Sequence, residues 1–296
     1  MARLDKIDGR WVNLEKPGGQ VFFIGGGTPA VNGIGASDTY KGTRPEEPLS
    51  TLSGAHSAAV SGRGDTIVLL PGTLTLTSSV TISKDDITIA GQAGDSPIKP
   101  SAITLNLSST GDGIGVTGAN CVIEDLHFNA SSAANTSRID AGAAGLTVRD
   151  CTFQCGSNDL ETITIPAAGL HTTVIRNRFV ITANGPDAAI EIEAAGAHHI
   201  TITDNLFMGQ NNTNQWDTGA INSGVAHLDC YVARNVMTDG EAIIFSAAAT
   251  GMIEGNIMGY GTLGSMLDPG SCMCAENYEA DAINQSGRLF PDTVAS

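Results

Sequence analysis

Val122-Ile123-Glu124-Asp125-Leu126-His127-Phe128 is the first of seven stretches over which one seven-residue pattern can be laid. The others are TVRDCTF from 147, VIRNRFV from 174, TITDNLF from 201, YVARNVM from 231, MIEGNIM from 252 and MCAENYE from 273, with starts 25, 27, 27, 30, 21 and 21 residues apart. One pattern returning at this period is the mark of stacked coils, in which each unit packs on its two neighbours, rather than of a closed sheet or a helix bundle.

The second position of each copy holds Ile123, Val148, Ile175, Ile202, Val232, Ile253 and Cys274, and the seventh holds Phe128, Phe153, Val180, Phe207, Met237, Met258 and Glu279. Both columns are expected to point inward, the last copy excepted, and they form the predicted core ladder. The fourth and fifth positions are polar: Asp125, Asp150, Asn177 and Asp204, then Asn205, Asn235, Asn256 and Asn277. Asn tolerates left-handed backbone and bonds its own chain, so this column is predicted to mark one bend in every coil. A strand, an Asn bend and a second strand at this period describe an all-β chain, a parallel β-helix.

Upstream of the bend another strand recurs. Ile163 and Ile165 precede one copy as Ile190 and Ile192 precede the next, each followed by Ala-Ala-Gly, and Ile243 and Phe245 repeat the motif. Alternation sends these side chains inward and places Thr162, Thr164, Glu191 and Glu193 toward solvent. About nine coils at ~4.8 Å per rung give a rod on the order of 40 Å long.

Composition agrees. The 296 residues include 36 Gly, only 16% are charged and 5% are aromatic, which suits many short strands, tight turns and a narrow aliphatic interior. The formal charge of −16 speaks against nucleic acid and anionic membrane surfaces as partners, since both call for basic patches. No apolar run is long enough to span a membrane, and the opening MARLDKIDGRWVNLEK has no apolar core for a secretory signal. The six cysteines show no zinc-ligand pairing, and Cys274 reads as a small core residue, which fits synthesis in a reducing compartment.

Three segments are expected. Residues 1–48 lack the repeat and read as an N-terminal docking or capping segment, with an apolar cluster at Trp11, Val12 and Leu14 and a strand from Val21 to Ile24. Residues 49–281 form the solenoid, opening with a short amphipathic helix within 50–60 that covers the first coil. Residues 282–296 form a tail without periodicity, which either folds back over the last coil or is covered by a partner. The triplet Arg63-Gly64-Asp65 spells an adhesion tripeptide, but it stands where a tight turn is required.

The run GTRPEEPLSTL, the helix, GDTIVLLPGT and then ITIAGQ at 87–92 resemble the opening of right-handed parallel β-helix proteins. That superfamily includes pectate lyases, polygalacturonases and the tailspike and other virion β-helices of bacteriophages. The resemblance spans roughly 37–280 and implies the fold, with a short N-terminal capping helix. It says little about function, because the matching residues are turn and core positions.

The enzymes of that superfamily set a sharper test. The polygalacturonase pattern of Gly-His-Gly and Arg-x-Lys is missing from the repeats, and the one Asp pair, Asp85-Asp86, lies in an early turn. Pectate lyases need calcium-binding acids and a basic residue, yet none of the five lysines follows Lys99. Glu191 and Glu193, with Asp204 one strand later, are the carboxylates that could supply the acid and base of glycoside hydrolysis, and equally an ordinary solvated face. The arginines read as surface ion pairs and the histidines as turn residues without metal-ligand spacing. No metal site and no cofactor are expected.

Two functions follow. The first is a structural virion protein of a bacteriophage, a head decoration, fibre or tailspike-like component assembled as a homotrimer or with other virion proteins and touching a host-surface glycan. The second is a polysaccharide lyase or glycoside hydrolase on the same scaffold.

Overall fold

The computed structural model describes residues 4–7, 10–13, 18–25, 35–91, 101–105, 112–129, 137–156, 161–182, 187–209, 216–238, 242–261, 266–281 and 287–290. The chain coils through three long sheets. The first runs Val21–Ile24, Thr66–Leu69, Thr88–Gly91, Val122–Glu124, Thr147–Arg149, Thr173–Ile175, Thr201–Thr203, Cys230–Ala233, Gly251–Glu254 and Met273–Ala275. The second runs from Gly72–Leu76 through Ser101–Leu105, His127–Phe128, Thr152–Cys155, Arg178–Ile181, Leu206–Met208, Val236–Thr238 and Ile257–Gly261 to Asn277–Asp281. The third runs Val80–Ile82, Ile114–Val116, Ile139–Asp140, Glu161–Ile165, Ala188–Ile192, Gly219–Ser223, Ile243–Phe245 and Leu267–Asp268. Within these runs each strand pairs in parallel with its counterpart one coil away, which makes the molecule a parallel β-helix.

The interior is built from identical positions stacked on one another. Phe128, Phe153, Phe179 and Phe207 form a continuous ring stack with centroid separations of 4.7, 5.0 and 4.9 Å, and Met237 and Met258 extend it. Ile123, Val148, Val174, Ile202, Val232 and Ile253 form the parallel aliphatic column of the first sheet. All are buried. The predicted pairing of Ile163 and Ile165 with Ile190 and Ile192 is also present.

The third copy of the repeat is displaced by one residue from its predicted frame. Val174, not Ile175, continues the core column, and Phe179, not Val180, occupies the ring stack. Ile175 pairs with Arg149 and Thr203 on the outer face and is only half-buried. Side chains alternate across a strand, so a slip of one residue exchanges the two faces.

Asparagine acts differently from the prediction as well. The left-handed residues of this bend are Asp125, Asp150, Arg176, Asp204, Arg234, Gly255 and Glu276, one position before the Asn column. The buried amides of Asn177, Asn205, Asn235, Asn256 and Asn277 instead form an internal ladder. Each Oδ1 accepts from the backbone N–H and the side-chain amide of the preceding Asn where there is one, and each Nδ2 returns to a carbonyl in the coil before, as Asn235 does to Ile202. Asn177 belongs in this ladder, not with the Asp column, and its Oδ1 accepts from the Cys151 N–H. Every coil therefore satisfies the polar groups of its own bend through the next coil.

The N-terminal end is closed by the helix Leu52–Ala58, whose Leu52 and Ala55 are buried against the first coil. Thr51 caps its N-terminus by accepting from the Gly54 N–H at 2.9 Å, and Lys84 Nζ donates to the carbonyls of His56, Ser57 and Ala59 at the other end. Asp65 is fully buried beside it. It accepts from the N–H groups of Gln20 and Val60 and from Arg63, so the Arg-Gly-Asp triplet is folded onto itself as a turn.

Val21–Ile24 heads the first sheet, and Leu4–Ile7 pairs antiparallel with Arg10–Asn13. The side chains of Trp11, Val12 and Leu14 lie outside the described residues. At the far end Gly287–Phe290 turns back antiparallel onto Asn277–Ala280, so part of the tail covers the second sheet's last parallel strand. The final core positions change character there: Glu279 is buried and Cys274 is half-buried against the core.

Candidate functional site

The outer face of the third sheet gathers several carboxylates. Its outward column runs Gly115, Asp140, Thr164, Glu191, Asn222, Ile244 and Asp268, one residue per coil. Asp112, Glu161, Asp187 and Glu193 border it, and like charges within this group from four coils help to raise the proton affinity of Asp140, Glu161, Glu191 and Glu193.

Burial pushes the Asp140 carboxyl up to about 6, with Asp112 and Glu193 adding like charge. Burial likewise pushes Glu161 up to about 7, helped by Glu193, Asp187 and Glu191, and its Oε2 is enclosed without a hydrogen-bond partner. A carboxyl in that setting holds a proton near neutral pH because partial burial and neighbouring like charges disfavour the ionised form. Glu191 is raised by burial against the opposing effect of Asn222, whose Nδ2 donates to Glu191 Oε2 at 2.7 Å. Glu193 is raised by partial burial and by the like charge of Asp112.

The predicted acids divide. Glu191 and Glu193 do share this face, as alternation required. Asp204 does not join them. It sits at the bend between the first and second sheets, where Arg234 binds it through Nε and Nη2, both at 2.8 Å, and holds its carboxyl below the usual range. Arg176 binds Asp150 in the same manner two coils earlier. Arg149 pairs with Glu124 at 2.6 Å on the first sheet, and Tyr231 donates to Glu254. These pairs sew adjacent coils together along the outside; apart from the buried Glu124, their members sit at exposed or half-exposed positions, where each contributes little alone.

The two threonines predicted to face solvent are covered. Thr164 does point outward, but it is enclosed between Asp140 and Glu191. Thr162 turns inward, where its hydroxyl meets Cys155 Sγ at 3.2 Å.

Asp140 and Glu161 were not singled out from sequence. The signal was present only in register: Asp140 pairs with Thr164 and Thr164 with Glu191, which fixes Asp140 and Glu191 on one face, while Glu161, paired with Ala188 at the start of its strand, borders that face near Glu191.

Among the histidines, His171 and His199 occupy successive left-handed turn positions and stack with ring centroids 4.7 Å apart. His199 Nδ1 stands 3.5 Å from Asp229. His227 is buried, its Nδ1 beside the Ser223 hydroxyl at 3.1 Å, and burial lowers its proton affinity. Among the described residues no group of three or more His, Cys, Asp or Glu is arranged to hold a metal ion. No helix there is long and apolar enough to cross a membrane.

No protein-family model and no curated protein sequence matches the chain. Solved structures do match in shape. Pectate lyase Pel9A is 13% identical with a TM-score of 0.47, over 88% of this chain and 77% of that one. A rhamnogalacturonan lyase is 10% identical with a TM-score of 0.40, over 88% of this chain and 87% of that one. The Geobacillus virus E2 ORF18 protein is 14% identical with a TM-score of 0.34, over 77% of this chain, which spans 57% of the viral one. At such identities the likeness concerns architecture, and the three parallel sheets of the chain itself establish that architecture as a parallel β-helix.

Proposed function

We propose that the chain is a structural β-helix of a bacteriophage particle, set as a decoration or spike-like component with a flank turned to a host-surface glycan. The supporting observation is the state of the acids that could have served as a catalytic set. Asp204 is bound at both oxygens by Arg234, Glu191 is held by Asn222, and Asp204 stands at the bend between the first two sheets while Glu191 lies on the third. These contacts tie coil to coil, the work of a stiff rod. The resemblance of the opening coils to right-handed parallel β-helix proteins is compatible with this, since that superfamily includes virion β-helices beside its enzymes. Such a particle component is made in the host cytoplasm and located in the virion.

A second reading, polysaccharide hydrolysis or elimination, is favoured by Asp140 and Glu161. Carboxyls protonated near neutral pH have the property required of a general acid.

Two measurements separate the readings. Mass spectrometry of purified particles encoded by the surrounding genes is expected to find the chain among the virion proteins. Purified chain incubated with capsular and pectic polymers is expected to release neither reducing ends nor unsaturated sugars. Turnover by the wild type that is abolished in Asp140→Asn, Glu161→Gln would replace the structural reading with the enzymatic one.

A further inference from the structure

The outer face of the second sheet changes character along the rod. Its outward column reads His127, Thr152, Arg178, Leu206, Val236, Ile257 and Tyr278, one residue per coil in unbroken register. The first three are polar and the last four are not. Val236, Ile257 and Tyr278 are 37%, 50% and 42% exposed, among the most exposed large apolar side chains described. The neighbouring outward column is uncharged over the same coils, passing from Val180 and Met208 to Thr238 and Gly259.

Placing four apolar residues in successive coils is the pattern of the interior, yet this column faces out. Four rungs at ~4.8 Å make a seam on the order of 14 Å long, flat because parallel strands carry it. Isolated surface apolar residues are ordinary, but a contiguous row is the mark of an interaction surface.

The charge distribution indicates the occupant. With a formal charge of −16, two copies of this chain repel each other over most approaches. The third sheet carries Asp140 and Glu191 on its outer face, and the first carries Glu254. The C-terminal half of the second sheet has no charge in either outward column, so like copies can meet there without that penalty. Side-by-side rods related by an axis parallel to their length set each rung against the same rung of its partner. A seam uniform from rung to rung suits that symmetry. Toward the other half, Arg178, Thr152 and His127 continue the contact as a polar margin.

We propose that this face, centred on Val236, Ile257 and Tyr278, is the surface through which the chain associates with a second copy of itself, rods aligned side by side. The inference rests on the face alone and stands whether the virion or the enzymatic reading holds.

The test is sedimentation of the full chain over a range of concentrations, comparing wild type with Ile257→Glu. Thr81→Glu, an exposed position on the third sheet, serves as the control for added charge. Melting curves establish that each variant is folded. Wild type and Thr81→Glu are expected to associate alike. Ile257→Glu is expected to remain monomeric or to need at least about tenfold higher concentration, as for a residue central to an interface. A wild type that stays monomeric throughout overturns the proposal, because the face is then covered by the chain's own segments or by another protein. Association undiminished in a folded Ile257→Glu overturns it too, by placing the contact elsewhere.

Discussion

Asn235 Oδ1 accepts from both the backbone N–H and the side-chain amide of Asn205, each at 3.0 Å, thirty residues earlier in the chain. One oxygen thus satisfies two buried donors of the preceding coil, while the Asn235 amide returns to the Ile202 carbonyl at 2.9 Å. The ladder is cooperative in construction, since every rung supplies the acceptor that its neighbour's bend requires.

Removing one rung leaves donors and an acceptor buried without partners. Asn235→Ala is expected to destabilise the chain by about 2–4 kcal/mol in denaturant unfolding. Asn235→Asp, which keeps the acceptor but removes the amide donor and adds a buried charge, is expected to be no better. A loss under about 0.5 kcal/mol for both would mean that water replaces the ladder freely.

The register of the third repeat has an equally direct check. Phe179 is stacked between Phe153 and Phe207, whereas Val180 lies half-exposed on the outer face. Phe179→Ala is expected to cost about 3–5 kcal/mol through lost burial and the cavity it leaves. Val180→Ala is expected to cost under about 1 kcal/mol. Thermal melts showing the opposite order would restore the frame in which Ile175 and Val180 face inward.

The acidic face carries a pH signature. Asp140 titrates at about 6 and Glu161 at about 7 in the folded chain, and both titrate near 4 when unfolded. Between those values the folded chain holds protons that the unfolded chain has released. Stability therefore falls as pH rises from about 4 through 7, and the loss is complete above that window. Asp140→Asn and Glu161→Gln are expected to raise stability at about pH 8 by roughly 1 kcal/mol each, after allowance for their partial exposure. At about pH 4 they are expected to change it little. Unfolding midpoints measured across this range, equal in slope for wild type and variants, would remove these two groups from the account.

The repeat, its period and most of the inward columns could be read from the chain alone. An apolar residue returning at a fixed place in each coil is a local pattern, and Ile123, Val148, Ile202, Phe128, Phe153 and Phe207 are where it put them. The capping helix was legible for the same reason, as a short amphipathic run behind Thr51. The frame failed where its signal was degenerate. Val174 and Ile175 are both apolar, as are Phe179 and Val180, so alternation could not choose between them, and the choice fell to pairing with Val148 and Phe153 in the coil beneath.

The role of asparagine was hidden for a deeper reason. An Asn before a strand signals a bend, but whether its amide turns to its own backbone or to the coil above depends on atoms twenty to thirty residues away. The acidic face and the apolar seam belong to the same class. Asp140, Glu161 and Glu191 come from three coils, and Leu206, Val236, Ile257 and Tyr278 from four, separated by connections of unequal length. Local chemistry determined that the chain would coil and which side chains would fill it. Only the vertical register of the coils decided which polar and apolar residues share an outer face, because that register is set by the stacking of neighbours and not by any one of them.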